Sequence, residues 1–169
     1  MSVIKGIYLP CDADKPIERV EFESGNIKAI QHYVGGWFQV VDIERPGASI
    51  FCDEEGKMKG SPLNRRATML WWTHWTPARN VDVLMGDCLI IGQPDDDGES
   101  QSVPDELVNL LFNTEAFAYE VKVHGESGWY GNQVVLDDVW DAYNDGLSLA
   151  ERWSRVEEVR VVAVNTDAA

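Results

Sequence analysis

The sequence predicts an α+β protein, with a mixed or antiparallel sheet and short helices on one face. Three observations predict it. Short runs alternating apolar and polar residues recur along the chain, as half-buried strands require. Short amphipathic segments fall between them, without the even strand–helix rhythm of a doubly wound parallel sheet. Gly and Pro clusters punctuate both kinds of segment. The 169 residues are 44% hydrophobic and include seven Trp, enough for one ordinary domain with large buried aromatic area. Residues 1–169 are read as a single domain, and the loop 94–104 is the place where a subdomain boundary would fall.

Val3 to Leu9 is a β-type run, broken by Pro10 and by Asp12 and Asp14. Ile17 to Glu23 alternates apolar Val20 and Phe22 with charge, so it pairs with the first run as a hairpin. Ser24 caps a helix over Asn26 to Tyr33, where Ile27, Ile30, Tyr33 and Val34 form one stripe. Gly35 and Gly36 stop it. Trp37 to Ile43 and Ala48 to Cys52 are strands around the turn Pro46-Gly47, and Asp53 to Lys57 is an acidic turn.

Pro62 sits where a first helical turn begins, and Leu63 to Trp75 reads as a helix ended by Pro77. Val81 to Leu84 fits neither class. Asp87 to Gly92 is a core strand, followed by the polar loop Pro94 to Ser102. A short helix opens at Ser102 or Pro104 and carries Leu107, Leu110 and Leu111 on one side. Ala116 to Val123 alternates as a strand, 125–131 is a turn, and Asn132 to Leu136 continues as a strand. Asp137 caps a helix from Asp138 to about Trp153, with an irregularity at Gly146. Val156 to Val164 is the closing strand, and the last residues form a frayed tail.

Charge is distributed far from evenly. Residues 80–151 hold sixteen acids against one base, Lys122. Residues 1–79 hold ten of each sign and residues 152–169 three of each, so the whole formal charge of −15 sits in the one segment. Such a surface is repelled by phosphate backbones and anionic lipid, which excludes direct nucleic-acid and membrane-surface binding. It is attracted to basic protein surfaces, above all those that normally hold DNA or RNA. The plainer alternative is that the charge only keeps the protein in solution. The N-terminus shows no apolar signal region, and no run approaches the ~20 apolar residues of a membrane helix. Three widely spaced cysteines, Cys11, Cys52 and Cys88, suit a reducing compartment, so the expected location is the cytoplasm.

Several motifs occur together: Tyr33-Val-Gly-Gly36 closing an apolar helix, the turn Asp53-Glu-Glu-Gly-Lys57, Pro62-Leu-Asn-Arg65, and the strand Gly86 to Gly92 with Leu89 and Ile90 at its centre. As a set they resemble an uncharacterised family of small proteins from phages and actinobacteria, over about residues 26–112. The resemblance implies a phage or phage-derived origin and brings no reaction with it.

Two constellations carry the functional expectations. The first is acidic. Asp95, Asp96, Asp97 and Glu99 lie in the polar loop, without the spacing of a calcium loop. Asp137 and Asp138 precede Asp141 and Asp145 on the following helix, and positions 138, 141 and 145 share one face. Like charges so placed cost a few tenths of a kcal/mol per pair, about 0.2–0.5. That cost is tolerated where solvent screens it, or where the face has another use. A basic groove that neutralises phosphates also binds spaced carboxylates, so the first expectation is a non-catalytic phage-type effector. It binds a basic host protein, such as a nucleic-acid enzyme, as a nucleic-acid mimic in host takeover or anti-defence. A homodimer is the other assembly to consider.

The second constellation is Arg65, Arg66, Trp71, Trp72 and Trp75, which combine cations with π faces and would stack a nucleotide or another small molecule. Its plainer alternative is core packing. His32, His74 and His124 are isolated, and no cysteine or histidine pair has metal spacing. No cofactor and no catalytic residue is expected.

Overall fold

The computed structural model describes residues 2–165. The α+β class is the one found, with the strands divided between two antiparallel sheets. The larger has the order β2-β1-β5-β4-β3 and the smaller the order β7-β6-β8.

In the larger sheet, β1 (Val3–Leu9) and β2 (Glu18–Glu23) form the expected hairpin, with Ile4 opposite Phe22. β3 (Phe38–Ile43) and β4 (Ala48–Asp53) form a second hairpin. The last strand to arrive, β5 (Cys88–Gly92), inserts between them, pairing Ile90 with both Ile7 and Ile50. Every residue of β4 and β5 is buried, which is why neither shows an alternating pattern.

Helices flank both faces of this sheet, because both faces are apolar. α1 (Ile27–Val34) covers one, packing Ile30 and Val34 against Ile4, Phe22, Phe51 and Leu89. Its cap is Asn26, two residues after Ser24, and its oxygen accepts the Ala29 N–H at 3.1 Å. Ser24 is buried instead and donates to the Ser100 carbonyl. On the other face lies the main core, where Ile7, Leu9, Ile50 and Ile90 meet Leu70 of α3 (Arg65–His74). A one-turn helix, α2 (Gly56–Lys59), and a 3-10 turn at Thr76–Ala78 flank α3.

α4 (Asp105–Phe112) leads to the smaller sheet of β6 (Phe117–Val123), β7 (Trp129–Gly131) and β8 (Val156–Ala163). The strand expected at 132–136 is absent apart from a bridge between Leu136 and Phe117, and the pairing falls earlier, at β7 within the expected turn. α5 (Val139–Arg152) covers the inner face of this sheet. Its cap is Asp138, one residue later than expected, accepting the N–H groups of Trp140 and Asp141 at 2.7 and 3.1 Å. The expected irregularity at Gly146 is absent, since α5 runs unbroken through it. A Cβ there would stand 2.7 Å from Val159 Cγ1 and 3.2 Å from Tyr119 Cβ, so the missing side chain lets α5 lie close on β6 and β8.

The loop 94–104 is stitched to the larger sheet. Gly92 bridges Gln101, the Lys5 N–H donates to Ser102 Oγ at 2.9 Å, and the Val103 N–H donates to the Lys5 carbonyl. One buried cluster runs from Ile7 through Leu70 and Leu107 to Tyr143 and Val161, so the two sheets share a core. The expected C-terminal tail falls largely on residues 166–169, outside the described residues.

Candidate functional site

The eight carboxylates singled out from the sequence lie in two places. Asp95, Asp96, Asp97 and Glu99 follow β5 on the larger sheet, and Asp137, Asp138, Asp141 and Asp145 begin α5 on the smaller one. Seven are exposed, and Asp145 is half-buried. Two have local structural work. Asp95 Oδ1 accepts the N–H groups of Asp97 and Glu99 at 3.0 and 2.9 Å, closing the loop on itself. Asp138 is the helix cap already described, so its carboxylate is directed at backbone rather than outward with Asp141. The other six make no hydrogen bond or ion pair through their carboxylates among the described residues. The ion pairs found there are Arg45–Glu158, Lys57–Asp82, Lys59 with Asp53 and Glu55, and Arg160–Glu120. None reaches either acidic group.

The Arg/Trp set is divided by the fold. Arg66 is buried and donates to the carbonyls of Pro10 and Asp12 at 2.9 and 3.1 Å, with its guanidinium 5.9 Å from the Trp140 ring. Burial pulls its pKa down, partly offset by the charge of Asp12. Trp71 is in the core, and Trp75 packs half-buried against it. Arg65 and Trp72 do come together, lining an open groove of about 480 Å³ between α3 and α5. Arg65 donates to Asn144 Oδ1 at 2.7 Å, and the Trp72 indole N–H donates to the Asp82 carbonyl at 2.7 Å. Both side chains are thereby held in place, with Met69, Leu147 and Glu151 completing the groove.

The motifs singled out in the sequence prove architectural. Tyr33-Val-Gly-Gly36 ends α1 with Gly35 in the left-handed conformation. In the acidic turn, Asp53 is buried; burial would raise its pKa, but Lys59 at 2.7 Å and the Glu55 N–H outweigh it and lower it. In Pro62-Leu-Asn-Arg65, Asn64 is fully buried. Its amide donates to the carbonyls of Leu9 and Gly86 at 2.9 Å each, while its oxygen caps α3 through the Ala67 N–H. Beside it, Asp87 accepts the Tyr8 hydroxyl and the Cys11 N–H at 2.8 and 2.9 Å. Gly92 has the Ser102 carbonyl oxygen 2.3 Å from where a Cβ would stand, so only glycine permits that approach.

A second concavity, of about 350 Å³, lies where the β3–β4 turn, the end of α3, α4 and the smaller sheet meet. His74 is its organising residue. Its Nδ1 contacts the Arg45 carbonyl and must donate there, so Nε2 accepts the Tyr143 hydroxyl at 2.7 Å. Burial pushes the imidazole pKa down to about 4, against a smaller upward pull from that carbonyl, and the ring is neutral at neutral pH. Burial likewise raises the Tyr143 pKa. The residues of this cavity come from five separate elements, and no local pattern announces them. His74 was visible only as an isolated histidine.

An α+β scaffold of two antiparallel sheets, with concavities between its layers and unpaired carboxylates on its surface, is the class of protein this geometry defines. The chain belongs to the family described as a domain of unknown function, DUF3846, which matches residues 4–116. The match begins at β1, well before Asn26, and stops at the edge of β6. The smaller sheet and α5 therefore lie beyond it, and both concavities sit on the seam between the matched and unmatched parts. No curated protein and no solved structure matches the chain. None of the helices among the described residues is long and apolar enough to cross a membrane.

Proposed function

We propose that this chain is a non-catalytic, phage-type binding protein acting in the host cytoplasm. Its acidic residues between 80 and 151 capture a basic host protein in the manner of a nucleic-acid mimic, in host takeover or anti-defence. The observation that carries the reading is the charge partition together with the exposure of Asp96, Asp97, Glu99, Asp137 and Asp141, which no cation of the chain neutralises among the described residues. A basic partner that replaces counterions at those carboxylates gains affinity that falls steeply with salt. The test is capture from host lysate at low and high salt, repeated in competition with double-stranded DNA. A salt-eluted basic protein displaced by DNA supports the reading. Asp137, Asp141 and Asp145 changed together to Lys should weaken that capture and flatten its salt dependence. Asp138 is left intact because it caps α5. Capture untouched by the triple variant removes the helix from the interface.

The groove beside Arg65 and Trp72 favours a second reading, a small-molecule or nucleotide binder, because a cation and an indole face share one concavity there. Quenching of tryptophan fluorescence by nucleotides, lost in Arg65→Gln and in Trp72→Phe, would support it. Unchanged fluorescence at millimolar nucleotide would rule the groove out as that site.

A further inference from the structure

The cavity at the β3–β4 turn differs from the acidic surface in presenting guanidiniums. Two guanidiniums line it, Arg45 from the turn and Arg160 from β8, in a chain with only fourteen basic side chains. Each is held by a glutamate that does not itself line the cavity. Arg45 Nη2 meets Glu158 at 2.7 Å, and Arg160 meets Glu120 through Nε and Nη2 at 2.8 and 2.7 Å. A guanidinium has five N–H donors, so these contacts orient the two arginines and leave N–H groups unspent. Arg160 also lies 4.2 Å from the centre of the Trp129 ring, which stiffens both walls further. The Arg45 backbone is fixed independently, through its carbonyl, by His74.

The rest of the lining is apolar apart from Thr73, His74 and Glu106. Pro46, Leu107, Leu110 and Val162 supply hydrocarbon, Val162 on the same face of β8 as Arg160. Glu106 supplies the one carboxylate of the lining. Thr73 lines the cavity, is 6% exposed, and its hydroxyl has no hydrogen-bond partner among the described residues. His74 adds no charge, and both its nitrogens are engaged. The volume of about 350 Å³ falls within the ~300–1,000 Å³ of small-molecule sites, which favour junctions of this kind.

We propose that this cavity is a binding site for a small organic acid carrying one negative charge and a compact apolar body. The head group meets Arg45 and Arg160, and the body lies on Leu107, Leu110 and Val162. Two oriented arginines choose an anion over a neutral isostere, because charge-assisted hydrogen bonds to a planar carboxylate are geometrically matched to guanidinium. Glu106 sets the limit on charge: it repels a dianion such as a phosphate ester. The site is independent of the acidic surface, and neither proposal requires the other.

Calorimetric titration of the full chain with three probes sharing one ring tests it: phenylacetate, its neutral amide phenylacetamide, and the dianion phenyl phosphate. Phenylacetate should bind one to one, and the amide about tenfold or more weaker. Arg45→Gln should weaken phenylacetate binding about tenfold, and Arg160→Gln at least as much. Arg45 is exposed and on a turn, so its variant keeps the fold even if Arg160→Gln does not, and a thermal melt of each checks this. The proposal is overturned if the amide binds as well as the acid, if phenyl phosphate binds more tightly than phenylacetate, if folded Arg45→Gln binds unchanged, or if none of the three binds at millimolar concentration.

Discussion

The larger and smaller sheets are stabilised in different ways. All seven buried polar or charged side chains among the described residues (Ser24, Ser49, Asp53, Asn64, Arg66, Thr68 and Thr73) belong to the five-stranded layer and its helices. That layer is cross-tied by side chains bonded to distant backbone, as Asn64 ties Leu9 to Gly86 and Arg66 ties Pro10 and Asp12. The smaller layer is an apolar sandwich in which Val121, Val156, Val159 and Ala150 meet between sheet and helix. The family match covers the first layer and stops where the second begins. The difference teaches that the motifs between Tyr33 and Gly92 serve to assemble a scaffold, whereas the concavities arise where a second layer is laid against it.

The sharpest way to break this contrast is at Asn64. Asn64→Ala removes a helix cap and takes the amide donor from two buried carbonyls, those of Leu9 and Gly86, leaving Gly86 the weak Cys88 thiol. A cap contributes about 1 kcal/mol and each orphaned buried group costs about 1–3 kcal/mol, so a loss of about 4 kcal/mol is expected. Denaturant melts measure it. A loss below about 1 kcal/mol would mean that polar cross-ties do not hold the first layer together.

Acid probes the seam. His74 is held neutral by burial, with a folded pKa of about 4 against an unfolded value of about 6.5. The unfolded chain therefore binds the extra proton first, and stability must fall as pH drops from about 6.5 to about 4 and then level off for this group. The full effect is up to about 3 kcal/mol. Asp53, Asp82 and Asp87 are all lowered from the model-compound value of 3.8, so their losses begin only at more acid pH. For Asp53 and Asp87, hydrogen bonds from their neighbours outweigh burial; for Asp82, the Lys57 ammonium is the leading cause. Melting temperatures flat across pH 6.5–4 would show that His74 is already solvated, and that the bond to Tyr143 does not join the layers.

The second layer has its own test at Gly146. Alanine there gains helix propensity of about 1 kcal/mol, yet its Cβ would stand 2.7 Å from Val159 Cγ1. Overpacking of this kind costs about 1–3 kcal/mol, so a net loss of about 1 kcal/mol is expected, with α5 lifted from β6 and β8. A net gain would show that the smaller layer yields where the larger one cannot.

Local pattern made most elements of both layers legible, because amphipathic period and turn chemistry act over a few residues. β1, β2, α1 and α3 fall within a residue or two of their expected bounds. β7 was missed because a three-residue strand between Gly128 and Asn132 has too short a period to read, and its pairing with β6 is decided across the sheet. Caps were misplaced at Ser24 and Asp137, where another capping residue stands one or two positions on and tertiary contacts choose between them. Asp95 and Asp138 look like their acidic neighbours in sequence, yet their oxygens are taken by backbone N–H groups. The cavity was illegible for a deeper reason. Arg45, Thr73, Glu106, Trp129 and Arg160 are unremarkable in their own segments, and only the docking of the two layers makes them neighbours.

The smallest expected effect bears on whether the acidic surface is used or merely tolerated. Asp141 and Asp145 stand at i and i+4 on α5, a repulsive spacing that costs about 0.2–0.5 kcal/mol. Asp141 lies in the first turn, where the helix dipole favours an acid, but Asp145 is beyond it. Asp145→Asn should therefore raise stability by a few tenths of a kcal/mol, about 0.3. If the carboxylate serves partner capture, the same substitution weakens that capture and lowers its salt dependence, so stability and binding move in opposite directions. A variant that is more stable and captures its partner equally well would show that Asp145 is only solvated charge, and would confine the proposed interface to Asp96, Asp97, Glu99, Asp137 and Asp141.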